Sequence, residues 1–420
     1  MKSFLKTAWL TLWIGSIVLP ACPGERRVDR IHPAASLPES TPWDLKALSQ
    51  PPSFQWLDST SPVRPLLYEG LPYQTKQPTK VFAYYATPGR LAGDPTLDQN
   101  LPAVVLVHGG GGRAFPQWAE LWARRGYAAI AMDLEGRGTD KEPLPSGGPE
   151  QNEETAFGRI DRPVNEQWPY HAVADVILAH SLIRSFLEVD PRRTAVTGIS
   201  WGGYLTCIVA GLDNRFQAAV PVYGCGFLHE NSVWRDWFEN KATPAQRDQW
   251  VRLWDPSQYV GSAAMPMLFV NGGKDFAYPP DSYAKTYARV KCSKNIRFTP
   301  ELDHGHIFDR PPEIQIFIGQ YLKKGVPLPL IHSVKIQQNE VQARVRTKTA
   351  LKSAELHYTM DPVRVENAKR NWTSVPAGIN GKRISATLPE EAITIWFLTV
   401  TDERGAVVSS ELVFPHARNP

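Results

Sequence analysis

Val196-Thr197-Gly198-Ile199-Ser200-Trp201-Gly202-Gly203 decides how the rest of this 420-residue chain is read. Thr194 to Thr197 predicts a buried strand, and Tyr204 to Gly211 predicts a helix. The Gly-x-Ser-x-Gly spacing between them forces a tight turn on which a serine hydroxyl stands clear of the backbone. Gly198 and Gly202 flank that serine because a side chain at either place would collide where strand and helix pass closely. The helix starts just behind Ser200, so its first N–H groups and positive dipole end face any negative charge that develops there. The bland alternative is a Gly/Ser loop with no chemistry. What separates the two is whether a base, a carboxylate and a second set of amide donors occur where a nucleophile would need them.

The segments before the turn supply the donors. Pro102-Ala103-Val104-Val105-Leu106-Val107 is a continuous apolar run, the mark of a strand buried on both faces of a parallel sheet. It runs into His108-Gly109-Gly110-Gly111-Gly112, where four glycines let the backbone curl over the serine and offer N–H groups. A phosphate-binding reading of this loop would need a P-loop lysine or GxGxxG spacing, and neither is present. His108 is read as orienting the loop. The oxyanion donors are then the amide of Trp201 and one from Gly110 or Gly111. Val63 to Tyr68 and Val81 to Ala86 predict two further strands, with Pro65 placing the first at an edge. Pro116 to Arg125 predicts a helix, and Tyr127 to Met132 a buried strand ending at Asp133. Leu134 to Asn165 is a polar stretch of the length expected of a functional rim or lid. Tyr170 to Leu187 predicts the helix before the serine strand.

The segments after the turn supply the base and the acid. Ala218 to Val222 predicts a strand, and Gly224 to about Tyr259 then interrupts the strand–helix alternation with Phe227, Trp234, Trp237, Phe238, Trp250 and Trp254. That content is too aromatic for solvent and reads as a small helical cap. Trp234 and Trp237 are its candidate substrate contacts, against the alternative of ordinary core. Pro266 to Asn271 predicts a strand followed by Gly272-Gly273-Lys274-Asp275, an acidic residue just past the second strand after the serine. Asn295 to Thr299 predicts the last short strand, followed by His304-Gly305-His306. The chain order Ser, Asp, His fits acyl transfer, in which an imidazole takes the serine proton and a carboxylate orients the ring. His306 is preferred as the base, with His304 the alternative: Gly305 gives His306 turn freedom, whereas His304 would still be leaving the strand. Metal binding by the pair lacks further ligands at suitable spacing, so no metal and no cofactor is expected.

Strand, helix, strand, helix in this order predicts an α/β fold, a doubly wound, mostly parallel sheet with loops gathered at its carboxyl edge. From Leu330 the pattern changes to short alternating segments, among them Val341 to Val345, Ile384 to Leu388 and Ile393 to Val400, which predict a C-terminal β-sandwich of immunoglobulin or fibronectin type. It carries no visible catalytic constellation, and Asn371-Trp372-Thr373 reads as a chance glycosylation triplet. The expected divisions are residues 1–22, a targeting segment; 23–62, a Pro-rich tether or strap; 63–330, the catalytic domain with its cap at about 224–259; and 331–420, the sandwich.

Composition bounds the function. A hydrophobic content of 42% and a charge of 21% leave ample core for such domains. The formal net charge of +4 is small for the length and no basic stripe is interleaved with aromatics, so a nucleic-acid partner is not expected. Lys2 and Lys6 followed by the apolar run Ala8 to Leu19 form an export signal too short to span a bilayer. Leu19-Pro20-Ala21-Cys22 resembles a bacterial lipoprotein box, which makes Cys22 a lipidation candidate and implies an envelope or periplasmic location with attachment to a membrane; plain secretion is the alternative. Cys207, Cys225 and Cys292 then remain, and Cys207 and Cys225 read as small buried apolar groups rather than a disulfide.

The His108 to Gly112 run, Gly198 to Gly203, Pro221-Val222-Tyr223-Gly224-Cys225-Gly226, Asn271 to Pro279 and His304-Gly305-His306 together resemble the acetylxylan-esterase-like α/β-hydrolases of the dienelactone-hydrolase and prolyl-oligopeptidase-type branch, over about Val63 to Leu330. The resemblance implies Ser200 as nucleophile, Asp275 as acid, one histidine of the His304/His306 pair as base, and small esters or acetylated polysaccharide as substrates. Lys274 departs from the small or amide residue frequent at that place. The expected activity is hydrolysis of short acyl esters. A prolyl-oligopeptidase-type peptidase is the alternative within enzymes, disfavoured because no propeller-length repeat precedes the catalytic segment in this sequence. A non-catalytic binding protein on the same scaffold is the alternative outside them.

Overall fold

The computed structural model of the protein describes residues 41–74, 77–139, 141–305 and 307–415. The targeting segment and Cys22 lie outside the described residues, and so does His306. In chain order the strands are β1 (Phe54–Trp56), β2 (Val63–Pro72), β3 (Pro78–Ala86), β4 (Leu101–Val107), β5 (Ala128–Met132), β6 (Val189–Ile199), β7 (Ala218–Val222), β8 (Met267–Lys274), β9 (Lys294–Asp303), β10 (Leu330–Gln337), β11 (Glu340–Arg346), β12 (Leu351–Thr359), β13 (Thr373–Pro376), β14 (Gly378–Asn380), β15 (Arg383–Thr387), β16 (Ile395–Asp402) and β17 (Val407–Ser409). The helices are α1 (Leu45–Leu48), α2 (Pro88–Leu91), α3 (Pro116–Arg124), α4 (Trp168–Ile183), α5 (Trp201–Leu212), α6 (Pro244–Trp254), α7 (Pro280–Arg289) and α8 (Glu313–Leu322).

The central sheet runs β1-β2-β3-β5-β4-β6-β7-β8-β9-β17-β16-β12-β13 among the described residues. Its middle, from β5 through β9, is parallel. The apolar runs explain this: β4, β5 and β7 are buried at every position, which only a sheet covered on both faces requires. The covering helices are α3 and α8 on one face and α4, α5 and α7 on the other. Helix α4 is apolar almost all round because it is buried over nearly its whole length. Residue Pro65 does not mark the outermost strand: β1 adds antiparallel to β2 beyond it, pairing Trp56 with Leu66.

The C-terminal region is all-β, and one of its two sheets is continuous with the central sheet. Strand β17 pairs antiparallel with β9 at Ser409 and Ile296, and β16, β12 and β13 extend outward from it. The second sheet, β10-β11-β15-β14, is separate. Hydrogen bonds therefore cross the boundary expected at residues 330 and 331.

Because the middle strands are parallel, their carboxyl ends share one edge. The residue that follows each of them has a polar or turn role: His108 after β4, Asp133 after β5, Ser200 after β6, Tyr223 after β7, Asp275 after β8 and His304 after β9. That edge is the crevice expected of an open α/β sheet.

Candidate active site

Ser200 occupies the sharp turn between β6 and α5 with φ 59° and ψ −120°. A positive φ on a serine is strained, and the surroundings hold it there. The amide of Ser200 donates to Val222 O at 2.8 Å, and its carbonyl accepts from Tyr204 at 2.9 Å. Close approach explains the flanking glycines: a Cβ at Gly202 would lie 2.0 Å from Val107 O, and one at Gly198 would lie 2.2 Å from Gly202 O. The helix start is thereby pressed against both β4 and its own strand.

Strand register brings the partners to Ser200. Lys274 of β8 pairs with Asp303 of β9, so the next residues, Asp275 and His304, emerge side by side. The His304 Nδ1 lies 3.0 Å from Asp275 Oδ1, and its Nε2 lies 2.9 Å from Ser200 Oγ. The preference for His306 is corrected on this point: the imidazole that bridges serine and carboxylate is His304, and His306 lies outside the described residues. The reason is the length of β9. It runs to Asp303 rather than ending near Thr299, with a shift of register between Gly272 and Lys274 of its partner, so His304 has already reached the crevice.

Asp275 is fully buried, and its Oδ1 also accepts the amides of Ala277 at 2.8 Å and Tyr278 at 3.0 Å. These bonds fix the carboxylate facing the imidazole. Aromatic rings wall the histidine: Phe276 at 4.9 Å and Tyr223 at 5.0 Å between centroids.

The two glycines named as alternative oxyanion donors are distinguished by their partners. Gly111 N–H already donates to Glu135 Oε1 at 3.0 Å, so Gly111 is not the donor. Among the described residues none accepts the N–H of Gly110, where an added Cβ would lie 2.7 Å from the Trp201 ring. The amide of Trp201 stands in the first turn of α5, where no intrahelical acceptor exists. His108 does orient the loop: its Nδ1 donates to Gly109 O at 2.7 Å and its Nε2 accepts from Leu134 N at 3.0 Å. Burial, then the neighbouring Asp133 charge, pushes the Glu135 carboxyl up to about 7. Burial alone raises Asp133 to about 6, against the pull of the Arg137 and Glu135 amides.

The aromatic excursion after β7 packs against the long rim loop. Phe157, on that loop, lies 5.2 Å from Trp237, 5.2 Å from Trp250 and 5.7 Å from Trp201 between centroids. Trp250 Nε1 donates to Ala156 O, and Trp254 Nε1 to Gln167 Oε1, both at 2.8 Å. Trp237 is buried in this cluster and belongs to core. Trp234 is half-buried, 4.6 Å from the Trp201 ring and 5.2 Å from Tyr278, and borders the site. Cys207 and Cys225 are buried free thiols. Glu135 and Phe157 are the residues that sequence reasoning passed over. Both sit in the loop after β5 whose length alone marked it.

The sequence matches the acetyl xylan esterase family model over residues 49–235 and the prolyl oligopeptidase family model over residues 159–318. Among solved structures, an acetyl xylan esterase from Paenibacillus sp. R4 is 23% identical with a TM-score of 0.53, covering 69% of this chain and 97% of that one. Acetyl xylan esterase 1 from Thermoanaerobacterium sp. JW/SL YS485 is 18% identical with a TM-score of 0.51, covering 70% and 96%. A curated relative, the uncharacterized peptidase YuxL of Bacillus subtilis (strain 168), is 24% identical over 259 residues, which is 56% of this chain and 35% of that protein. Dipeptidyl-peptidase 5 of Schizosaccharomyces pombe (strain 972 / ATCC 24843) is 25% identical over 42% of this chain and 25% of its own length, so the match spans between a quarter and about a third of these curated relatives. By its sheet order, its strand–turn–helix at Ser200 and these likenesses, the chain has an α/β-hydrolase fold similar to that of the acetyl xylan esterases.

Proposed function

We propose that the protein is a serine esterase that removes short acyl groups, acetyl foremost, from carbohydrate. The observation that carries this reading is the continuous chain Ser200 Oγ, His304, Asp275, with bonds of 2.9 and 3.0 Å, on a strained turn at the head of a helix. Such a chain performs acyl transfer. Ser200 Oγ attacks the ester carbonyl carbon while His304 Nε2 takes its proton, and Asp275 stabilises the imidazolium. The carbonyl oxygen becomes an oxyanion held by the amides of Trp201 and Gly110. Collapse expels the alcohol, which takes the proton from His304, and leaves an acyl-serine. Water, deprotonated by His304, then releases the acid and restores Ser200.

A short acyl group is supported by crowding. Ser200 keeps only 7% exposure, and the Trp201 ring that follows it packs on Trp234, which packs on Tyr278. Carbohydrate as the alcohol is supported by the acetyl xylan esterase match at residues 49–235. The second reading is a prolyl-oligopeptidase-type peptidase, favoured by the family match at residues 159–318. The separating experiment is one panel: acetylated xylan, p-nitrophenyl acetate, longer p-nitrophenyl esters and Xaa-Pro amides. Preference for acetyl esters supports the esterase, and amide turnover far above acetate hydrolysis selects the peptidase. A folded protein that a fluorophosphonate does not label would leave a binding role instead. The Leu19 to Cys22 stretch supports export with lipid on Cys22; metabolic labelling of the wild type and Cys22→Ser with a palmitate analogue tests it.

A further inference from the structure

Three consecutive residues leading into the catalytic carboxylate are bonded to one short segment of the C-terminal β-region. Gly273 O accepts from Trp372 Nε1 at 3.4 Å, Lys274 Nζ donates to Arg370 O at 2.6 Å, and Asp275 O accepts from Asn367 Nδ2 at 3.0 Å. The segment lies between β12 and β13, about ninety residues further along the chain than β8. Asn367 is 3% exposed and Asp275 is 0% exposed, so the bond between them is dry. Its direction is set from behind. Arg370 Nε donates to Asn367 Oδ1 at 2.9 Å, which leaves the amide N–H₂ facing Asp275 O. Arg370 is itself fully buried, with its remaining bonds to the main-chain carbonyls of Val363 and Asp361. Burying a guanidinium among carbonyls is costly, and a surface strap would not require it.

We propose that Asn367, held by Arg370, is a positioning residue for Asp275. The C-terminal β-region then acts on catalysis by fixing the main chain of the acid. The proposal rests on the reading of Ser200, His304 and Asp275 as a catalytic triad. The physical argument is that Asp275 Oδ1 already receives two amides from its own turn, so the carboxylate direction follows the peptide plane, and that plane is anchored at its carbonyl by Asn367. A tilt of the plane moves Oδ1 away from His304 Nδ1. Misplacement of a catalytic group by about 1 Å can cost on the order of 10²-fold in rate.

The test uses the full chain and p-nitrophenyl acetate. Asn367→Ala is expected to lower kcat by about tenfold to 10²-fold with KM within about twofold. The deciding measurement is a cycle with Asp275→Asn. If Asn367 acts through the carboxylate, removing it in the Asp275→Asn background costs less than about twofold, whereas a purely structural loss costs the same in both backgrounds. Where Asn367→Ala does not fold, Lys274→Met and Trp372→Phe, which loosen the same segment, take its place in the cycle. Parent-like kcat in Asn367→Ala, or equal costs in the two backgrounds, overturns the proposal alone. A parent that neither takes a fluorophosphonate label nor hydrolyses the ester overturns the triad reading with it.

Discussion

His304 Nε2 and Ser200 Oγ, separated by 104 positions in the chain, meet at 2.9 Å because β6 and β9 end at the same edge of one parallel sheet. The hydroxyl alone is a weak nucleophile, and the imidazole within hydrogen-bond reach is what activates it. Replacing Ser200 with Ala is expected to lower kcat by at least about a thousandfold with the fold unchanged. Circular dichroism and ester hydrolysis on the same sample check this, and parent-like turnover would remove the serine from the mechanism.

The two histidines separate cleanly by experiment. His304→Ala is expected to cost on the order of 10² to 10⁴ in kcat, the range of a lost general base. His306→Ala is expected to stay within about tenfold of the parent, because the ring bonded to both Ser200 and Asp275 is His304. Reversal of that order in a hydrolysis assay would return the base to His306.

A methyl group at Gly110 tests the oxyanion assignment. The added Cβ would stand 2.7 Å from Trp201 Cδ1, so either the loop or that ring must shift beside the serine turn. Gly110→Ala is expected to lose on the order of 10² to 10³ in kcat with little change in KM, as expected when one oxyanion donor is removed. An unchanged kcat would exclude Gly110 as donor.

Stability should fall with rising pH near neutrality. Glu135 and Asp133 hold their protons to about 7 and about 6 in the folded chain, both above the ordinary carboxylate range and chiefly through burial. A carboxyl that binds its proton more tightly when folded contributes stability that is complete below its unfolded pKa and is lost as the pH rises through the folded one. Buried Asp175, raised for the same reason, adds with the same sign. Buried His171, His180 and His357, held down to about 4, act with the opposite sign below about 6.5, so melting temperatures should decline between about pH 6.5 and about 8, and Glu135→Gln should flatten part of that slope. A slope identical in the parent and Glu135→Gln would show that this carboxyl does not carry it.

Phe157 joins the rim loop to the aromatic segment after β7. Its truncation to Ala removes the ring shared by Trp201, Trp237 and Trp250, and is expected to cost about 3–5 kcal/mol. Denaturant unfolding measures that loss, and KM for acetylated xylan should rise as the rim beside Trp234 loosens. A stability within about 0.5 kcal/mol of the parent would mean that the aromatic cluster closes over the gap.

Much of this protein is local, and local features are legible in a linear chain. Periodicity of two faces or one marks strands and helices, so the parallel core over residues 101 to 303 follows from its apolar runs. Gly198, Ser200 and Gly202 state their own geometry, because only glycine fits where backbones approach to about 2 Å of a would-be Cβ. Which histidine meets the serine was not legible. It depends on strand β9 running to Asp303 and on a register shift against β8, and register is set by pairing between distant segments. The same holds for Gly111, committed to Glu135 by a loop that folds back from β5, and for Asn367, brought to Asp275 by β17 joining β9. Hydrogen bonds between residues far apart in the chain leave no spacing in the sequence, so only the folded molecule decides them.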